Sequence, residues 1–330
     1  MGFPCIIATG KYVPKRLVTN REMETLVGQP VDEWLQRNVG IKQRYFIEED
    51  QTTSDLVVEA VKIALDRAGL SANQMDLLIC STDTPDWFSP ATACATLSKL
   101  GANNIPGFDI NSACSGWVNA LDLAARRIVT DNSIRYIVVA GAYAMSRFLD
   151  MRDKYTATLF ADGAGAVILS RADKQHWLGS SFKSFNENYD ALGIFYGGAN
   201  CPATSENIAS FGTPAVKFAK KIPAEFNRVH WPALIDRTCE QAGVSPEQVD
   251  HFYFTQLNLH TIRHVMRDMR QPLAKAHYIM DKYGYTGSAC LPMTLDDAIE
   301  QGIGPKSGDL LLFTASGGGI TMASSLWKWL

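Results

Sequence analysis

Two stretches of this 330-residue chain repeat one pattern at a constant offset of 174 residues. The first begins Ala68-Gly69-Leu70-Ser71 and ends Gln74-Met75-Asp76-Leu77-Leu78. The second begins Ala242-Gly243-Val244-Ser245 and ends Gln248-Val249-Asp250-His251-Phe252. An amphipathic helical pattern precedes each, Ser54 to Arg67 in one and Trp231 to Gln241 in the other. Each then supplies a glycine helix stop, a Ser, and an Asp in front of an apolar strand. Ser-Ala-Cys also recurs, at 112–114 and 288–290, again ahead of helical patterns. The agreement in offset points to an internal duplication. The chain is therefore expected to fold as two similar halves, 1–172 and 173–330.

Each half closes with a glycine-rich apolar segment, Phe160 to Leu169 and Phe313 to Met322. Buried-strand runs lie just upstream, Tyr136 to Gly141 and Asp309 to Phe313. Continuous apolar strands alternating with helices imply an α/β fold with sheets covered on both faces. Such sheets place sites at strand C-terminal ends. Asp162-Gly163-Ala164-Gly165 runs into a strand rather than a helix, so it reads as close backbone packing and not as a phosphate loop.

One such strand end carries Cys114, in Gly107-Phe108-Asp109-Ile110-Asn111-Ser112-Ala113-Cys114-Ser115-Gly116. A helical pattern, Trp117 to Ala125, follows. Free N–H groups and the positive end of the helix dipole favour a thiolate at such a turn. A thiolate attacks thioester carbonyls, so Cys114 is a candidate acyl-transfer nucleophile; a buried structural cysteine is the alternative.

Composition narrows the partners. A net charge of −3 gives no basic field for nucleic acid. No apolar run has the length of a membrane span, and the N-terminus lacks the pattern of a signal peptide. Seven scattered cysteines, an odd number, suggest free thiols in a reducing cytoplasm. His260 and His264 share a helical face, but no third ligand is spaced to complete a metal site.

The motifs and their order resemble the ketoacyl-ACP synthase III group of the thiolase superfamily over nearly the whole chain. The resemblance rests on Ile6 to Pro14, on Asp32-Glu33-Trp34 with Gly40-Ile41-Lys42-Gln43-Arg44, and on Asp109 to Gly116. Ala161 to Ala166 and the terminal Ser316-Gly317-Gly318-Gly319 complete it. It implies a duplicated five-layer αβαβα fold, a homodimer, and an acyl-Cys114 intermediate. The acyl donor would be an acyl-CoA or an acyl-carrier protein, entering as substrate, with no resident cofactor. The family counterpart of the Trp87-Phe88 loop reaches across the dimer to the acyl pocket, which places Phe88 among the substrate-binding candidates.

Departures from the family pattern bear on the reaction. Decarboxylating members use Cys, His and Asn. In Phe254-Thr255-Gln256-Leu257-Asn258, Thr255 stands where the His is expected. In Gly284-Tyr285-Thr286-Gly287-Ser288, Tyr285 stands where the Asn is expected. Losing one oxyanion donor typically costs ~10²–10³ in rate. Both replacements can donate a hydrogen bond, but neither is a base near neutral pH. Main-chain N–H groups of Cys114 and the Gly318 region could still hold an oxyanion. Trp34 matches the adenine-stacking Trp, but the family Arg four residues on is Asn38, with Arg37 beside it. A second family Arg corresponds to Lys154. Condensation, plain O-, N- or S-acyl transfer, and a non-catalytic acyl-binding subunit all remain open. Cys290 and the exposed-looking run Arg263, Arg267, Arg270 and Lys275 read as structural and solvated, respectively.

Overall fold

A computed structural model describes residues 2–330. The first half builds a five-stranded sheet. Its strands, in spatial order, are Phe3–Tyr12, Asp162–Ala172, Ile137–Ala144, Leu77–Ser81 and Gly107–Ile110. The second half builds a four-stranded sheet in the matching order Trp177–Ser184, Thr321–Lys328, Leu310–Gly317, His251–Phe254. The strand that would pair with His251–Phe254 as a fifth is reduced to one bridge, Phe252 with Ala276.

The two repeats take the same local structure. Gly69 and Gly243 end their helices in the left-handed region, at φ +65° and +68°. Ser71 with Gln74 and Ser245 with Gln248 then form reciprocal capping boxes. The Asp76 carboxylate accepts the N–H groups of Arg135 and Tyr136, and the Asp250 carboxylate accepts that of Leu310. The repeated Asp therefore fastens each strand to its neighbour.

Helices Gly116–Thr130 and Cys290–Glu300 lie between the sheets, each beginning at or just after one of the Ser-Ala-Cys copies. Trp117 packs edge-on to Phe313 of the opposite sheet, with ring centroids 5.2 Å apart. Helix Thr53–Ala68 covers the outer face of the first sheet, and helices Phe226–Gln241 and Leu259–Asp268 that of the second. The result is five layers, αβαβα. Both Ser-Ala-Cys copies fall at the head of a middle-layer helix.

Candidate active site

Cys114 sits between strand Gly107–Ile110 and helix Gly116–Thr130. Ala113 adopts φ +45°, uncommon for a residue with a β-carbon. The turn is closed by the Ser115 and Gly116 N–H groups, which donate to the carbonyls of Ser112 (3.2 Å) and Ala113 (2.9 Å). Gly317 of the terminal glycine segment lies directly on this turn. A β-carbon there would fall 2.7 Å from the Ser112 oxygen and 2.9 Å from the Cys114 nitrogen. Glycine is required for that approach.

Cys114 is only 5% exposed. Burial pushes its thiol up to about 12, and the charge of Asp83 adds to the rise. Hydrogen bonds from the Tyr285 phenol and the Cys114 N–H act the other way. The sequence expectation of a resting thiolate is therefore corrected. The helix starts only at Gly116, two residues beyond Cys114, and burial is the largest influence on the thiol.

Thr255 follows strand His251–Phe254 and is 3% exposed. Its Oγ1 accepts the Ser316 N–H at 3.2 Å, which leaves the hydroxyl hydrogen to be donated elsewhere. Ser316 Oγ accepts the Trp231 indole N–H at 2.6 Å and donates to Asn227 Oδ1 at 2.9 Å. Tyr285 is fixed through its backbone. Its N–H donates to the Leu159 carbonyl at 3.0 Å, and its carbonyl accepts the Ala161 N–H at 2.9 Å. Burial, and then the neighbouring Cys114, hold the phenol in its neutral, donating form.

Cys114, Thr255 and Tyr285 line one cavity of about 820 Å³, together with Trp34, Asn258 and Gly318. A thiol flanked by two hydroxyl donors and close main-chain N–H groups can accept and pass on an acyl group. No histidine is among the described residues that line this cavity. His260 Nε2 lies instead 2.7 Å from the Arg37 carbonyl, His251 pairs with Asp309, and His277 with Asp297.

The family described as 3-oxoacyl-[acyl-carrier-protein (ACP)] synthase III matches residues 108–185, and its C-terminal part matches 239–329. The beta-ketoacyl-[acyl-carrier-protein] synthase III of Caldanaerobacter subterraneus subsp. tengcongensis is 34% identical, over 98% of this chain and 97% of its own. The protein of the same name from Alkalilimnicola ehrlichii is 35% identical over 99% of each chain. The chain belongs to the 3-oxoacyl-ACP synthase III family. It is an acyl-transferring enzyme of that type, with the thiolase-like fold. The crystal structure of the synthase III from Aquifex aeolicus VF5 superposes with a TM-score of 0.87 at 32% identity, covering 99% of this chain and all of that one. The priming beta-ketosynthase of the R1128 polyketide pathway gives 0.91 at 26% identity, covering 99% and 96%.

Within this synthase III-type enzyme, the candidates from sequence fall into two groups. Trp34 lies on the cavity wall and is half exposed. Asn258 also lines the cavity, and its side chain caps helix Leu259–Asp268 by accepting the His260 N–H at 2.8 Å. Arg37, Lys154 and Phe88 do not line it. The Arg37 guanidinium pairs with Glu33 at 2.8 Å on an exposed face, and Lys154 donates to Gln29 Oε1 at 3.0 Å. Phe88 is 87% exposed. Cys290 is buried at the head of its helix, and burial pushes its thiol up.

Several lining residues were not singled out from sequence: Lys220, Lys221, Asn227, Trp231 and Ser316. The paired lysines ahead of Ile222-Pro223 were the legible signal for a cationic wall. Nothing local marked Asn227, which reaches the site through Ser316, 89 residues away.

Proposed function

We propose that this enzyme takes an acyl group from an acyl thioester, carried by coenzyme A or an acyl-carrier protein, onto Cys114, and that malonyl decarboxylation by it is slow or absent. The observation that carries this reading is the cavity around the sulfur, which offers the Thr255 and Tyr285 hydroxyls and no imidazole. In the first step the Cys114 sulfur bonds to the thioester carbonyl carbon, and the carbonyl oxygen gains negative charge. The Thr255 and Tyr285 hydroxyls, which line the same cavity, and the Cys114 N–H are the donors that would stabilise it. Collapse breaks the bond to the leaving thiol, which takes up the proton that Cys114 gave up. An acceptor then attacks acyl-Cys114 and releases the sulfur. Neither hydroxyl replaces a basic imidazole, so acyl transfer is less impaired than enolate formation from a malonyl group.

Lys220 and Lys221 on the cavity wall suit the phosphates of coenzyme A or of a carrier's phosphopantetheine arm. No resident cofactor enters this scheme. We assign the working form as a homodimer joined near Trp87 and Phe88, two exposed aromatics set between Pro85 and Pro90. Seven free cysteines fit a cytoplasmic setting. Release of CO₂ from a malonyl thioester tests the reading. The expected rate is at least ~10²-fold below that of a Cys-His-Asn synthase assayed alongside. A comparable rate would overturn it.

A further inference from the structure

Asp83 carries a carboxyl oxygen shut off from solvent that the scheme above does not use. It follows strand Leu77–Ser81, whose two parallel neighbours are Gly107–Ile110, leading to Cys114, and Ile137–Ala144, carrying Tyr143. Asp83, Cys114 and Tyr143 thus come off the same end of three adjacent strands, where such sheets bind ligands. The backbone around Asp83 is fixed. Thr82 N–H donates to the Ile110 carbonyl at 3.1 Å, Thr84 N–H to Thr82 Oγ1 at 3.0 Å, and Ala144 N–H to Thr84 Oγ1 at 2.9 Å. Thr53 Oγ1 holds the Thr84 carbonyl at 2.5 Å.

The side chain is treated differently. The residue is partly exposed, yet its Oδ1 is shut off from solvent and has no hydrogen-bond partner among the described residues. Leaving a buried carboxylate oxygen unpaired is costly, and a functional role that supplies it with a partner is one reason for tolerating it. Asp83 lies outside the lining of the 820 Å³ cavity, but its strand end is next to the one that leads to Cys114, and its charge is felt at both Cys114 and Tyr143. Burial pushes the carboxyl up to about 6. Space beside the sulfur is limited. The rings of Tyr143, Phe160 and Tyr285 pack in series with centroids 6.1 and 5.8 Å apart, in the same core cluster as Cys114. Tyr143 lies so close to Gly287 that a β-carbon there would meet its ring at 2.4 Å.

We infer that Asp83 reads the acyl group, selecting short acyl thioesters that carry a hydrogen-bond donor, a hydroxyl or an ammonium, at the second or third carbon. This rests on the assignment of Cys114 as the acylated residue. A buried acceptor left unpaired by the wrong substrate discriminates strongly against the isosteric hydrocarbon.

The test is the initial rate of Cys114 acylation, by intact mass, with three isosteric pantetheine thioesters: 2-hydroxypropionyl, 2-aminopropionyl and isobutyryl. A second pair, 3-hydroxybutyryl and 3-methylbutyryl, moves the donor one carbon out. In the wild type, at least one donor-bearing member should react about tenfold or more faster than its hydrocarbon partner. Comparison of the hydroxyl and amino arms shows which donor is read. In Asp83→Leu the ratio should fall toward one or invert. Hydrocarbon members reacting as fast as their partners in the wild type, or an unchanged ratio in Asp83→Leu, would overturn the inference while leaving acyl-Cys114 intact. If Asp83→Leu does not fold, the wild-type ratios decide. No adduct with any of the five would remove the nucleophile assignment and this inference together.

Discussion

At Cys114 the opposing effects are burial and hydrogen bonding, and burial wins. A thiol pushed up to about 12 carries a very small thiolate fraction near neutrality. Its alkylation by iodoacetamide should therefore keep rising about tenfold per pH unit from pH 7 to beyond pH 10. A plateau near the ordinary thiol value would contradict this account of the site. Tyr285→Phe removes a hydrogen bond that lowers the thiol value, so the mutant should alkylate more slowly at every pH on the same slope. Gly317→Ala places a β-carbon against the nucleophile turn and should cost ~1–3 kcal/mol through overpacking. Thermal denaturation checks that figure, and the acylation rate should fall as the turn shifts. Cys114 was legible as a candidate from its strand-to-helix setting. Its neutral resting state was not, because the groups that share its cavity, from Trp34 to Ile320, lie far off in sequence.

The helix Cys290–Glu300 anchors the middle layer through its two adjacent carboxylates. Asp296 is fully buried and accepts Thr9 Oγ1 at 2.6 Å, with Lys11 and Arg67 as ionic partners. Asp297 faces Lys282 at 2.8 Å and His277 at 2.9 Å. Burial alone would push the Asp297 carboxyl up, but hydrogen bonds from His277 and Lys282 and the charges of Lys282 and Lys11 hold it at about 2. A depressed carboxylate value stabilises the fold above the unfolded-state value. That contribution, on the order of 2 kcal/mol, is lost as pH falls from about 4 through about 2. Urea midpoints measured across that window should drop in the wild type and drop less in Asp297→Asn. Equal slopes would show that Asp297 does not contribute. At this scale the sequence was most readable where punctuation is local. The glycine stops at Gly69 and Gly243 and the fastening Asp76 and Asp250 fall where the repeat put them. The helix read from Trp231 instead begins at Phe226 and runs through Pro232. The packing of Phe226 on Phe185, with centroids 4.8 Å apart, supports the extra turn, and no local pattern announces it.

For the whole molecule, the repeated pattern was the readable part, since it pointed to two sheets with helices between them. The composition of the cavity was less so, because its walls come from Trp34 to Ile320 and are joined only by tertiary contact. Assembly belongs to this scale too. Light scattering at micromolar concentration should give twice the chain mass of 36.3 kDa, and Phe88→Glu should shift it toward one chain. A wild-type monomer would contradict the dimer assignment. The central claim is that Cys114, in a cavity it shares with Thr255 and Tyr285, takes the acyl group. Intact mass after incubation with a panel of acyl-CoA and acyl-carrier thioesters tests it most directly. The account predicts one acyl group added per chain in the wild type and none in a folded Cys114→Ala variant. An adduct that survives in Cys114→Ala, or no wild-type adduct with any thioester, would contradict it.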